Sequence, residues 1–191
     1  MGDATARALT YRMREKEAFY YEGSAWRTAF LGGYSFERNG IKLLDSSSQY
    51  YFYATGVTPA MEAKMVGVGS QYLTTYKDAS GAYLDGGQDY RLRLPAGIPA
   101  KDFWSVTVYD AETRSLLQNG QPKPSISTYD QPDVNPDGSV DISFGPRAPK
   151  GQEKNWVQTV PGKGHFGWVR LYGPLEPFFD QTWRPDDIVK V

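Results

Sequence analysis

The run FWSVTVYD, from Phe103 to Asp110, constrains the fold of this chain more than any other stretch. It is rich in β-branched and aromatic residues and would place large side chains on both faces of a strand. Strands of this kind are typical of the covered centre of a sheet. The sequence therefore predicts a central strand over residues 103–109, inside a longer unit over 90–119 that reads strand, proline corner, strand and polar turn.

Further strands are predicted along the rest of the second half of the chain. The strand-forming patterns lie at residues 71–76, 83–84, 90–94, 115–118, 140–144, 156–160 and 166–172. The connections between them are short and rich in turn residues, as in a meander or Greek key. Residues 175–179 read as one helical turn, and residues 185–191 as a short helix or strand. The pattern predicts a mainly β (α+β) fold built as an antiparallel β-sandwich.

The first third of the chain has a helical character instead. Residues 6–21 contain no glycine or proline, and Ser24 is a suitable N-cap for a second helix over 25–37. Residues 41–48 read as a loop or one short strand, and residues 60–66 as a further helix that follows a proline. We therefore predict a helical segment over residues 1–70 docked on a β-sandwich domain over residues 71–191.

The aromatic run YYFYAT at residues 50–55 is predicted to be a strand. Aromatic rings are common filling for β cores, which favours a packed strand. A stacking platform for sugars or bases is the functional alternative.

Charge and cysteine content exclude several classes of function. The formal net charge is −1 and basic residues are scattered among acids, so we expect no nucleic-acid partner. The absence of cysteine excludes disulfides, thiolate metal sites and cysteine nucleophiles. No glycine-rich stretch has phosphate-loop spacing, so no nucleotide cofactor is expected.

The N-terminus has no signal-peptide pattern, and no window is long enough to span a bilayer. These observations predict a soluble protein, which would be cytoplasmic if the chain is complete and periplasmic if it is a fragment.

From residue 76 onward, short motifs follow one another in a set order. They are YKD at 76–78, Gly81, LDG at 84–86, YRL at 90–92, FWSVTVYD at 103–110, DGSV at 137–140, FGP at 144–146, NW at 155–156, RLYGP at 170–174 and Trp183. Over residues 71–191 this combination resembles the bacterial family of domains of unknown function numbered 1214. The resemblance implies a jelly-roll-like antiparallel sandwich and no settled activity. Members usually carry a second uncharacterised domain, numbered 1254, on the N-terminal side, and that domain is absent from this chain.

The stretch from Asp133 to Asp141 resembles the first half of a calcium loop. Asp133, Asn135, Asp137 and Asp141 place oxygen ligands at alternate positions, with Gly138 at the sharp turn. The closing glutamate of such a loop is missing, because a phenylalanine stands at its position. The alternative is an Asn-Pro-Asp-Gly hairpin turn that leads into a strand. Calcium is therefore the one metal that the sequence suggests.

His165 is the only histidine in the chain. Multi-histidine metal centres are thereby excluded, and any Ser-His-Asp arrangement would depend on this residue. We take His165 and Asp110 as the candidate catalytic residues for acid–base chemistry. A structural or surface histidine is the alternative.

Alternation along the last predicted strand places Trp168, Arg170 and Tyr172 on one face. An inward arginine needs a carboxylate or a ligand anion as its partner. Asp110 or Glu112 could supply a structural ion pair, whereas a ligand would make Arg170 part of an anion clamp. The candidate ligand-binding residues are Arg170, Tyr109, Trp104, Tyr172 and Trp183.

Three functions remain open on the sequence. The first is a small-ligand-binding or assembly module that uses the aromatic-lined mouth of the sandwich. The second is a hydrolase or lyase that acts on a small polar or anionic substrate through Arg170, His165 and nearby aspartates. In the third, aromatic residues between 19 and 30 pair with another copy, as a homo-oligomer, or with the missing N-terminal domain.

Overall fold

The structure, a computed structural model, describes residues 1–11, 16–53 and 59–191. The helices in these ranges are α1 (Gly2–Tyr11), α2 (Leu44–Tyr53), α3 (Pro59–Glu62) and α4 (Glu176–Phe179), with 3₁₀ turns at Lys16–Ala18, Thr128–Asp130 and Glu153–Asn155. The strands are β1 (Arg27–Thr28), β2 (Glu37–Arg38), β3 (Ile41–Lys42), β4 (Ser70–Thr75), β5 (Tyr90–Leu94), β6 (Ala100–Asp110), β7 (Ser125–Ser127), β8 (Val140–Gly145), β9 (Trp156–Gln158), β10 (His165–Pro174) and β11 (Val189–Lys190). Across the described ranges, no helix has both the length and the apolar character needed to cross a membrane.

The strands form two main sheets and one small hairpin. The first sheet has the order β1-β4-β10-β6-β7, the second has the order β11-β5-β8-β9, and β2 pairs with β3. Every pair is antiparallel except β8 with β9, which run parallel. The prediction of a mostly β fold with antiparallel sheets and short helices is confirmed.

The predicted central strand is β6, which spans 11 residues and pairs with β10 on one side and β7 on the other. Both of its faces are covered, as its sequence requires. On one face, Val106 packs in a hydrophobic cluster that also contains Leu92 and Ile142 of the second sheet. The opposite face of the first sheet, represented by Trp168 on β10, packs against Phe30 of the N-terminal segment.

The predicted helix over residues 25–37 is wrong. Trp26 is fully buried in the shared cluster and donates its indole N–H to the carbonyl of Asp186 at 2.9 Å. The residues that follow form β1, which pairs with β4 as the edge strand of the first sheet. Left-handed glycines at 32 and 33, with φ of 78° and 68°, then turn the chain toward the β2–β3 hairpin. The burial of the Trp26 ring and the left-handed backbone at two glycines therefore outweigh the local helix propensity.

The predicted strand over residues 50–55 is also wrong in its described part, because residues 50–53 belong to α2. Ser46, Gln49 and Tyr50 are buried on one face of that helix, the spacing that a helix requires. Residues 54–55 lie outside the described ranges.

Other predicted elements are shorter than expected. The helix over 6–21 ends as α1 at Tyr11, residues 12–15 lie outside the described ranges, and Phe19 forms a strand-like bridge with Arg27. The helix over 60–66 is confined to α3. The strands at 83–84 and 115–118 are reduced to single bridges, which join Tyr83 to Lys77 and Leu116 to Tyr109. The helical turn at 175–179 is confirmed as α4.

The last strand of the second sheet, β9, is bonded along its length by side chains from the loop that precedes β7. The amide of Asn119 donates to the carbonyl of Gln158 at 2.7 Å. The amide of Gln121 accepts the N–H of Gln158 at 2.9 Å and donates to the carbonyl of Trp156 at 3.4 Å. Two side-chain amides thus take the positions that a further strand would occupy.

Candidate functional site

A cavity of about 170 Å³ lies between the first sheet and the N-terminal segment. Nine of the described residues line it: six aromatic residues, two arginines and one methionine. From the N-terminal segment come Phe30, Tyr50 and Met61; from the sheet and the turn after β6 come Tyr72, Tyr109, Arg114, Phe166, Trp168 and Arg170. Within the described residues, the lining therefore holds two cationic side chains and no acidic one.

Strand alternation brings the sheet residues of this cavity together. Phe166, Trp168 and Arg170 occupy alternate positions on β10 and therefore project from the same face. Tyr109 of β6 stands opposite Phe166 in the register, and their rings stack with centroids 5.3 Å apart. The floor of the cavity is thus a rigid part of the β6–β10 pair.

Arg170 occupies an unusual position for an arginine inside a fold. Its one hydrogen bond within the described residues is donated by Nη2 to the hydroxyl of Tyr109, and its buried Nε has no partner there. The guanidinium lies 5.7 Å from the Tyr109 ring centroid and 5.9 Å from that of Trp168. Neither expected carboxylate partner, Asp110 or Glu112, forms an ion pair with it.

Tyr109 completes the polar end of the cavity. Burial raises the pKa of its hydroxyl above the ordinary value, although the neighbouring Arg170 acts in the opposite direction. The phenol is therefore protonated at neutral pH. Because it accepts a hydrogen bond from Arg170, its own proton can be donated to an anion bound at the guanidinium.

Arg114 is the second cation at the cavity. It follows β6 in a turn with a left-handed backbone, φ 63°, and its Nη1 donates to the carbonyl of Glu112 at 2.9 Å. Its guanidinium lies 3.9 Å from the centroid of the Phe52 ring, and its buried Nε has no partner within the described chain. The sequence gives no functional signal for Arg114. It singles out Tyr50 only as part of the aromatic run at residues 50–55 and Phe30 only as part of an aromatic pairing surface, and it places neither beside Arg170.

The other predicted ligand-binding residues lie elsewhere. Trp104 and Trp183 are buried in the cluster that the two sheets share, and the indole of Trp183 donates to the carbonyl of Pro95 at 3.1 Å. Tyr172 shares a face with Arg170 but stacks on Phe103, with centroids 4.0 Å apart, outside the cavity. Of the five candidates, Arg170 and Tyr109 line it.

His165 lies in the interior on the other face of β10. Its side chain is 3% exposed, its ring meets Tyr90 edge-on at 5.9 Å, and neither ring nitrogen has a hydrogen-bond partner in the described chain. Burial lowers the pKa of His165 to about 4, although Asp85 acts to raise it. His165 and Arg170 are five positions apart on β10, and because side chains alternate along a strand they lie on opposite faces.

Asp110 stands opposite His165 in the β6–β10 register, but its carboxylate is engaged by other groups. It accepts hydrogen bonds from the backbone N–H of Glu112 at 2.8 Å and of Thr113 at 3.0 Å. Lys163 donates to it at 2.7 Å. Burial alone would raise the pKa of Asp110, yet these donors hold it below the ordinary value. The carboxylate therefore stabilises a turn and does not contact the imidazole.

In the stretch from Asp133 to Asp141 the carboxylates of Asp133, Asp137 and Asp141 each have a partner, although Oδ1 of Asp141 is buried with none in the described chain. Arg93 pairs with Asp137 at 2.5 Å and with Asp141 at 3.7 Å. The Asn135 amide nitrogen donates to Asp141 at 2.9 Å, and Lys154 pairs with Asp133 at 3.3 Å. The backbone turns here, since the N–H of residue 138 donates to the carbonyl of Asn135 at 2.8 Å. In the described part of the chain, no three His, Asp or Glu side chains group closely enough to hold a metal ion.

We expect calcium and a chelator to leave the melting temperature of the protein unchanged. The carboxylates are already paired with Arg93 and Lys154, so a cation would have to displace both. Thermal melts in calcium, zinc and chelator measure this. A calcium-dependent rise in melting temperature that is lost in Asp137→Asn would establish a calcium loop instead.

Comparison with known proteins identifies a family and a fold. The family described as "Protein of unknown function (DUF1214)" matches residues 69–176. Among solved structures, the VPA0106 protein from Vibrio parahaemolyticus is 22% identical with a TM-score of 0.58, over 80% of this chain and 36% of that one. An uncharacterized protein from Burkholderia cenocepacia is 16% identical with a TM-score of 0.43, over 99% of this chain and 40% of that one. This chain thus spans less than half the length of either, and no curated protein matches it. At such identities the Vibrio likeness bears on the fold alone.

Proposed function

The chain belongs to the DUF1214 family of proteins of unknown function, and from the geometry of its aromatic cavity we propose that it binds a small organic anion without catalysis. Arg170 would hold the anionic group, with the hydroxyl of Tyr109 as a second donor. The aromatic lining would hold the apolar body of the ligand.

One observation carries this proposal: the half-buried Arg170 lines the cavity, and no carboxylate of the described residues pairs with it. Withdrawing part of a guanidinium from water costs free energy unless an anion or further hydrogen bonds compensate. Here the compensation within the described chain is one hydroxyl and two aromatic rings. The Nε donor is buried and unpaired, and the planar guanidinium can take a carboxylate through two parallel hydrogen bonds. A bound organic anion would supply the missing partner.

We also propose that the two sheets form a jelly-roll-like sandwich, with residues 1–70 docked on a domain over residues 71–191. The single hydrophobic cluster to which both sheets contribute supports a sandwich. The contribution of Phe30 and Tyr50 to the cavity supports docking of the N-terminal segment. In this arrangement the segment and the domain together form the binding site.

Replacing Arg170 with glutamine is expected to weaken the binding of small carboxylates, acetate to benzoate, by about 10- to 100-fold, the usual worth of hydrogen bonds to a charged group. Glutamine keeps a polar, shorter side chain but removes the charge and the fork of donors. Isothermal titration calorimetry measures the affinity directly. Arg147→Gln is the matched control, because Arg147 is exposed on a loop away from the cavity and should leave affinity unchanged. Equal affinities for the unmodified protein and Arg170→Gln, or no binding of any acid, would overturn the proposed function.

A further inference from the structure

We infer that the ligand of this cavity is an aromatic monocarboxylate with a single ring, an inference that rests on the binding function proposed above. Size, wall geometry and charge of the cavity each point to this class of compound.

The volume limits the ligand to about one ring. The cavity measures about 170 Å³, and an apolar cavity of about 150 Å³ accommodates one benzene molecule. A fused two-ring system exceeds this volume, so its second ring would either displace side chains that are held in the sheet or extend through the opening into solvent, where it would bury little surface. Phe166, for example, is 2% exposed and stacks on Tyr109. Overpacking of such a rigid wall is unfavourable.

The walls favour an aromatic body over an aliphatic one. Six of the nine lining side chains are aromatic. Tyr72 and Trp168 meet edge to face at 5.7 Å, and Phe30 lies tilted against Tyr50 at 5.1 Å. A planar ring inserted among them can make offset-stacked or edge-to-face contacts of the same kind, which a saturated ring cannot.

The charges favour one carboxylate at one end. The guanidinium of Arg170 has N–H donors without a partner in the described chain, among them Nε–H, and the hydroxyl of Tyr109 can donate one more hydrogen bond. We therefore place the anionic group at this end of the cavity. Arg114, in contrast, already contacts the Phe52 ring and the carbonyl of Glu112. Its positive charge excludes cationic ligands and attracts anions without requiring a second carboxylate.

A panel of compounds on the unmodified protein tests the inference by titration calorimetry. The panel consists of benzoate, cyclohexanecarboxylate, acetate, benzamide and 2-naphthoate. We expect benzoate to bind tightest and acetate at least about tenfold more weakly, because acetate buries no ring. Cyclohexanecarboxylate should be about two- to tenfold weaker than benzoate, the worth of an aromatic pair. Benzamide should bind more weakly than benzoate because it carries no charge. 2-Naphthoate should bind more weakly than benzoate because its second ring does not fit in the cavity.

The outcomes separate the inference from the function on which it rests. If none of the acids binds, the proposed function fails. If acids bind but acetate or 2-naphthoate has the same affinity as benzoate, the inference of a single-ring ligand fails, while the proposal of anion binding stands. If cyclohexanecarboxylate binds with the same affinity as benzoate, the cavity selects its ligand by size, and the proposed preference for an aromatic ring is overturned.

A pair of variants locates the selectivity. Phe166→Leu should lower the affinity for benzoate several-fold and leave that for acetate unchanged, because it removes a ring from the wall. Phe179→Leu is the matched control, since Phe179 packs on Phe178 away from the cavity and should change neither affinity. Equal losses for benzoate and acetate in Phe166→Leu would contradict selection by this wall. If the variant does not fold, the panel on the unmodified protein still decides.

Discussion

Trp26→Ala is expected to lower the free energy of unfolding by about 3–5 kcal/mol, the usual cost of deleting a large buried ring. Trp26 is fully buried, belongs to the cluster that both sheets share, and donates its indole N–H to the carbonyl of Asp186. Alanine would leave a cavity and remove the hydrogen bond to that carbonyl. Urea unfolding followed by circular dichroism measures the loss.

Trp26→Phe separates packing from the hydrogen bond. It keeps a ring and removes the indole donor, so we expect a loss of about 1 kcal/mol beyond the change in volume. A loss below about 1 kcal/mol in Trp26→Ala would mean that the N-terminal segment is not part of the cooperative core. The same experiment therefore tests whether residues 1–70 dock as proposed.

Acidification from pH 6.5 to 4 is expected to remove up to about 3 kcal/mol of stability through His165 alone. The folded pKa of His165 is about 4, against an ordinary value of 6.5. As the pH falls below 6.5, the unfolded chain binds a proton at this histidine while the folded chain does not, so stability declines until about pH 4. Carboxylates whose pKa is lowered, such as Asp110 and Asp78, begin to lose their contribution as the pH approaches the ordinary value of 3.8 and lose most of it below pH 4.

His165→Leu should abolish this pH dependence. Leucine removes two buried ring nitrogens that lack partners in the described chain, so stability at pH 7 should be unchanged or higher. Urea unfolding at pH 7, 5.5 and 4 measures the difference between the two proteins. A variant that still loses the same stability between pH 6.5 and 4 would assign the effect to other groups, since the chain has no second histidine.

The parity of residue positions along a strand predicts more of the site than residue type does. Arg170 and Trp168 are two residues apart and both line the cavity, whereas His165 lies five residues from Arg170 and faces the core. The same rule divides Trp104 from Tyr109 on β6. Strict alternation along β6 and β10 thus separates the face of the cavity from the face of the core, although it does not exclude Tyr172, which shares the face of Arg170 and lies outside the cavity.

The N-terminal wall could not be predicted in this way. Phe30, Tyr50 and Met61 reach the cavity through contacts between distant parts of the chain, which local patterns do not specify. The run around Tyr50 has the composition of a strand, yet it packs as a helix because its buried positions lie three and four residues apart. Arg114 carried no signal either, since its place depends on a left-handed turn.

The amides of Asn119 and Gln121 on β9 have a consequence for behaviour in concentrated solution. An exposed sheet edge with unpaired backbone groups is a template for aggregation and domain swapping. Here the carbonyl of Trp156 and both the N–H and the carbonyl of Gln158, which face away from β8, are already bonded by side chains of the same molecule. A second molecule that approached this edge would have to displace three internal hydrogen bonds before it could form its own, so this end of the sheet resists templated growth.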